Sequence, residues 1–98
     1  LYGGDNIYPD QVEEVIEQIP GVIESAVIGV PDELYGEVPS AYIVKDESSD
    51  FSEEDVVNYC QERLADYKVP SIHFTQELPK NKLGKIMKKD LRELVVNA

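Results

Sequence analysis

Ninety-eight residues with an ordinary apolar share of 42% make one domain around one core. A net charge of -11 opposes non-specific binding to nucleic acid, and a single cysteine, Cys60, rules out an internal disulfide or a cysteine-built metal site. No apolar run approaches the roughly 20 residues of a membrane helix, and with no signal-peptide pattern a cytoplasmic setting is the expectation.

The chain opens at Leu1, not at a methionine, and runs straight into turn residues, which reads as a cut through a larger protein, with processing or cloning the alternative origins of such a start. Gly3-Gly4-Asp5-Asn6 signals a turn, because glycine and asparagine tolerate positive φ. Pro9 stands where a first helical residue often does. Val12, Val15, Ile16 and Ile19 then recur at helical spacing, with glutamates on the other side, and Pro20-Gly21 ends that helix. Val22 to Val30 is rich in β-branched residues and predicts a strand. Residues 31–36 read as a loop and Val38 to Val44 as a second strand, with Pro39 near its start or at an edge. An acidic loop over 46–50 leads to Ser52-Glu53-Glu54-Asp55, which has the form of a capping box. Val56, Val57, Cys60 and Leu64 mark the buried side of the helix that follows. Ile72 and Phe74 suggest a short third strand. Leu78 to Lys85 is a loop bounded by proline and glycine and rich in lysine, and Lys88 to Val96 closes the chain as a basic amphipathic helix. Interleaved in this way, the elements predict an α+β fold, a small layer of about three strands with helices packed against it.

Charge divides along the chain. The first 67 residues carry 17 acidic and 2 basic side chains, whereas the last 31 carry 3 acidic and 7 basic. That basic end suits a small anion such as a nucleotide phosphate or a carboxylate.

The lysine loop is the first candidate for chemistry. Pro79 fixes one end, and Gly84 lets the backbone turn just before Lys85. The ammonium of Lys85 is a compact charge suited to carboxylate or phosphate oxygens. The plain alternative is a solvated basic turn, in which Lys80 and Lys82 are equivalent neighbours. Gly3 and Gly4 either let the backbone approach a ligand closely or simply form a turn. Tyr35 and Tyr67 stand beside turn residues and either offer a flat face to a nucleobase or pack in the ordinary way. His73 lies inside the third strand with no visible partner and reads as structural; Cys60 reads as core. No serine–histidine–acid set, metal-ligand cluster or nucleotide-binding glycine motif is present. The chain carries no complete active site, and no metal is expected on it.

Taken in order, four segments form a recognisable set: Gly3-Gly4-Asp5-Asn6-Ile7-Tyr8-Pro9 with Val12-Glu13; Ala26-Val27-Ile28-Gly29-Val30-Pro31-Asp32 with Gly36-Glu37-Val38-Pro39; Leu64-Ala65-Asp66-Tyr67-Lys68-Val69-Pro70; and Leu78-Pro79-Lys80-Asn81 with Gly84-Lys85-Ile86. This set resembles the mobile C-terminal domain of adenylate-forming acyl-CoA synthetases. The resemblance implies that residues 1–98 are that domain and that an N-terminal adenylation domain, outside this chain, binds ATP, Mg2+ and the acid. It implies a two-step reaction. A carboxylate attacks the α-phosphate of ATP to give acyl-adenylate and pyrophosphate, and the thiol of CoA then displaces AMP. In the first step Lys85 enters the site and offsets repulsion between the carboxylate and the phosphate.

Rotation of the small domain then withdraws Lys85 and brings in Gly3 and Gly4, which line the passage for the pantetheine arm. Tyr35 and Tyr67 fall at positions that contact the adenine of CoA in some relatives. Val69 replaces a basic residue that meets CoA phosphate in others, which leaves Lys68 to substitute. Lys85 also sits in the context of a lysine controlled by an acetyltransferase and a deacetylase. Within the family a carrier protein can replace CoA, or a luciferase-like oxidation can replace thioester formation; outside it, the alternative is a non-catalytic acidic interaction module. The acid pocket lies elsewhere, so the acid is open, with fatty acid metabolism one expected setting. The 98-residue fragment is expected to be inactive alone.

Overall fold

The structure, a computed structural model, describes residues 7–97. Pro9–Ile16 form helix α1, with proline at the first turn, where its missing N–H leaves no bond unmade. Val12 and Ile16 are fully buried. The helix ends at Ile16, not at Ile19, because the chain tightens: Gln18 N–H donates to Val15 O, Ile19 N–H to Ile16 O and Val22 N–H to Ile19 O. Ile19 still packs on the core, but from a turn. Gly21 completes that turn at φ +98°, and a Cβ there would lie 2.1 Å from Ser49 Oγ. Gly21→Ala is therefore expected to destabilise the domain by about 1–3 kcal/mol. A urea titration checks this, and an unchanged midpoint would contradict it.

Val22–Asp32 and Gly36–Lys45 form strands β1 and β2, paired antiparallel. The hairpin is longer than the sequence suggests. Pro31 pairs with Glu37 and Asp32 with Gly36, so the predicted loop over 31–36 shrinks to residues 33–35. The cause is Asp32, whose Oδ2 accepts the N–H groups of Leu34 and Tyr35, both at 3.0 Å, and so closes a tight turn. Helix α2 (Glu53–Gln61) begins with the expected capping box: Asp55 N–H donates to Ser52 Oγ and Ser52 N–H to Asp55 Oδ2. Strand β3 (Ser71–Phe74) then lies parallel to β2, the crossover through α2 being what a parallel pair requires. Sheet order is β1-β2-β3. Pro39 sits in the central strand, yet one residue ahead of Ser40, where pairing with β3 begins.

Alternation along the strands sends side chains to two faces. Val27, Ala41, Ile43 and Ile72 meet α1 and α2, with Cys60 fully buried among them. Burial pushes the Cys60 thiol up to about 11, against a smaller opposing effect of Arg63, so it stays a protonated core group at neutral pH. Ala26, Ile28, Leu78 and Leu91 form the second cluster, under the last helix, α3 (Lys88–Val96). The outer edge of β1 is covered by side chains. Val27 N–H donates to Glu13 Oε2 at 2.8 Å, and Arg92 donates to Gly29 O. Two ion pairs tie α3 to its neighbours, Lys88–Glu13 at 2.7 Å to α1 and Arg92–Glu37 at 2.9 Å to β2.

Candidate functional sites at two ends of one sheet

The lysine loop is a braced hairpin. Lys80 and Ile86 pair as an antiparallel bridge, Asn81 N–H donates to Lys85 O at 2.9 Å, and Gly84 N–H donates to Asn81 O at 3.0 Å. Lys82 and Leu83 occupy the corners. Gly84 follows at φ +88°, the left-handed conformation that this hairpin pattern requires and that glycine adopts without strain. Pro79 O accepts from Met87 N–H at 2.8 Å, which ties the base of the hairpin to the start of α3. Asn81 is the residue that the sequence reading missed. Its Oδ1 accepts the N–H groups of both Leu83 and Lys85 at 2.9 Å, so one side chain holds the backbone on each side of the tip. An asparagine three residues before a turn glycine was the available signal.

Three lysines in this region look equivalent in sequence and differ in the structure. Lys80 forms an ion pair with Glu24 at 2.9 Å. Among the described residues, neither Lys82 nor Lys85 has its ammonium engaged in a hydrogen bond or ion pair, and both are exposed. Lys85 thus stands on a rigid hairpin with its charge unspent.

At the other end of the sheet, Tyr35 and Tyr67 line one cavity of about 290 Å³, together with Glu37, Pro39, Val69 and Ser71. That volume is at the small end of ligand pockets. The turn Asp66–Lys68 carries Tyr67, whose ring meets Tyr8 edge to face at 6.1 Å. Lys68 Nζ donates to Gln11 Oε1 at 2.9 Å and lies 4.3 Å from the Tyr8 ring centre and 5.7 Å from that of Tyr67. Its ammonium is thereby held beside the cavity. Val69 lines the cavity and also packs on the core. His73 stacks on Tyr42 at 4.9 Å and contacts Ser71 Oγ at 3.1 Å, partners that sequence did not reveal. Gly3 and Gly4 lie outside the described residues.

The two candidate sites are far apart. Lys80 ties the lysine hairpin to Glu24, near the start of β1, while the tyrosine cavity adjoins the turn after Asp32. From Glu24 to Asp32 an extended strand runs roughly 26 Å. The lysine hairpin and the tyrosine cavity therefore lie toward opposite ends of β1.

Comparison with known proteins agrees with this architecture. Residues 11–85 match the family described as AMP-binding enzyme C-terminal domain. YdaB of Bacillus subtilis strain 168, provisionally named an acyl–CoA ligase, is 58% identical over 98 residues, which are the whole of this chain and 20% of that protein. The 2-succinylbenzoate–CoA ligase of Bacillus mycoides is 48% identical over 96 residues, 97% of this chain and 20% of the relative. Among solved structures, a fatty acyl CoA synthetase of Mycobacterium tuberculosis superposes with a TM-score of 0.89 at 44% identity, covering 99% of this chain and 20% of that one. The chain thus spans about a fifth of the length of each relative. With its family matched across most of its length and its fold reproduced at high identity, the chain belongs to the AMP-binding enzyme C-terminal domain family.

Proposed function

We propose that this domain serves an ATP-dependent acid–CoA ligase by presenting two different ends to one site in turn. In the adenylation pose Lys85 reaches between the carboxylate and the α-phosphate. After rotation, the end bearing Tyr35, Tyr67 and Lys68 faces CoA, with the adenine near the tyrosines, and Gly3 and Gly4 serve the passage of the pantetheine arm. The observation that carries this reading is the placement of an unpaired Lys85 and the tyrosine cavity at opposite ends of β1. Pro79 and Gly84 shape the hairpin that delivers Lys85, and Asn81 joins them.

ATP, Mg2+ and the acid bind the N-terminal domain of the same protein, so residues 1–98 alone are inactive. The acid stays general: the relatives are named for succinylbenzoate as well as fatty acyl substrates, which gives fatty acids no preference. Acetylation of Lys85 by a lysine acetyltransferase removes the charge that adenylation uses, and a deacetylase restores it.

Gly4→Leu in the full-length ligase tests the second pose. The added side chain competes with the pantetheine arm for space. Thioester formation from acyl-adenylate is expected to fall at least tenfold while pyrophosphate release is unchanged. Normal CoA turnover would reduce the glycine pair to a turn.

A further inference from the structure

Leu83 is 93% exposed, more than any other large apolar residue of the described chain; Leu34 follows at 77%, and Ile23 and Leu94 at 61%. It sits at a corner of the lysine hairpin, two residues from Lys85. Nothing in the hairpin requires a leucine there. The tip is held by the backbone of Asn81, Gly84 and Lys85 and by Asn81 Oδ1, which accepts from the Leu83 N–H and leaves its side chain in water. The same bonds hold the backbone of Leu83 and Lys85 in one hairpin, so docking of that hairpin carries both residues. No acidic residue lies between Leu78 and Met87 to oppose approach to an anionic site.

We infer that Leu83 is a positioning residue for adenylation, seating the lysine hairpin in an apolar socket of the N-terminal domain and so setting the depth at which Lys85 enters. The inference rests on the proposed function above. The chain spans a fifth of its relatives' length, which leaves a much larger partner in the same protein to supply that socket. A second copy of this chain is a poor occupant, because one leucine at a hairpin tip offers far less than the roughly 800 Å² per partner of a stable interface. Apolar burial at the tip acts only while the hairpin is docked. It therefore stabilises the adenylation pose and is released on rotation.

The test compares Leu83→Ser, Leu83→Met and Lys85→Ala in the full-length ligase. It reads pyrophosphate release, thioester formation from synthetic acyl-adenylate and CoA, and the thermal midpoint. Leu83→Ser is expected to slow pyrophosphate release roughly 10-fold to 100-fold, the range for losing a buried leucine contact. Thioester formation and the thermal midpoint are expected to stay unchanged, because the side chain is exposed within its own domain. Leu83→Met keeps an apolar side chain of similar volume and is expected to retain most of the rate. If Leu83→Ser adenylates normally while Lys85→Ala does not, this inference falls and the proposed function stands. If Leu83→Met loses as much as Leu83→Ser, or both half-reactions fall equally, apolar seating is again contradicted. If Lys85→Ala itself adenylates normally, the proposed function falls and this inference with it.

Discussion

Lys85→Ala in the full-length ligase is expected to slow acyl-adenylate formation by roughly 10² to 10³, or about 3–4 kcal/mol, by analogy with the loss of one preorganised charge-stabilising donor. The reacting carboxylate and the α-phosphate are both anionic, and a fixed ammonium between them offsets the repulsion that grows toward the transition state. The structure leaves this charge exposed and unpaired. The hairpin is braced by Asn81 and turned by Gly84, and the ammonium of Lys85 has no partner among the described residues to compete for it. Lys82 is the stringent control, because it shares the hairpin, the charge and the exposure. Lys82→Ala is expected to leave the rate within about twofold, as surface charges contribute little. Lys80 is a different control: its pair with Glu24 anchors the base of the hairpin, so Lys80→Ala reports on anchoring rather than on chemistry. Enzymatic acetylation of Lys85 is expected to match the alanine variant, and deacetylation to reverse it. Pyrophosphate release under excess ATP and acid measures all of these, and equal small losses for the three lysines would reduce the loop to a basic surface.

Removing both cavity tyrosines, Tyr35→Ala with Tyr67→Ala, is expected to raise the KM for CoA by roughly 10-fold to 100-fold. A nucleobase stacked on an aromatic face contributes about 1–3 kcal/mol. Adenylation is expected to be untouched, since the cavity lies at the far end of β1 from Lys85. Tyr67 also meets Tyr8 and the Lys68 ammonium, so its loss disturbs more than one contact. Tyr67→Phe separates the effects, because it keeps the ring and its packing and removes only the hydroxyl. Near-normal KM for Tyr67→Phe with a raised KM for the double alanine variant is the expected pattern. An unchanged KM in the double variant would make the cavity a packing feature.

The parts of this fold that sequence made legible are those set by local rules. The capping box at Ser52 and Asp55, proline at the first turn of α1, and glycine before Lys85 each act within a few residues and appear where their chemistry requires. Boundaries were harder, because they depend on bonds that local pattern does not encode. Ile19 keeps its helical spacing but belongs to a turn, and the Asp32 carboxylate shortens the β1–β2 connection to three residues. Long-range pairings were not legible at all. Glu13 reads as one more helix-surface acid, yet it caps Val27 N–H and binds Lys88. Nothing local joins Tyr35 to Tyr67, which the parallel β2–β3 crossover brings to one cavity. The charges of Lys80, Lys82 and Lys85 are identical in sequence; only the position of Glu24 separates the first from the others.

The proposed function has the lysine end and the tyrosine end act in different half-reactions. The most direct measurement bypasses the first step altogether: the full-length Lys85→Ala variant is given synthetic acyl-adenylate and CoA, and thioester release is timed in a single turnover. A rate close to wild type is expected, even though the same preparation makes adenylate roughly 10² to 10³ times more slowly. Thioester release slowed as much as adenylation would place Lys85 in the site during both steps and would contradict the exchange of ends.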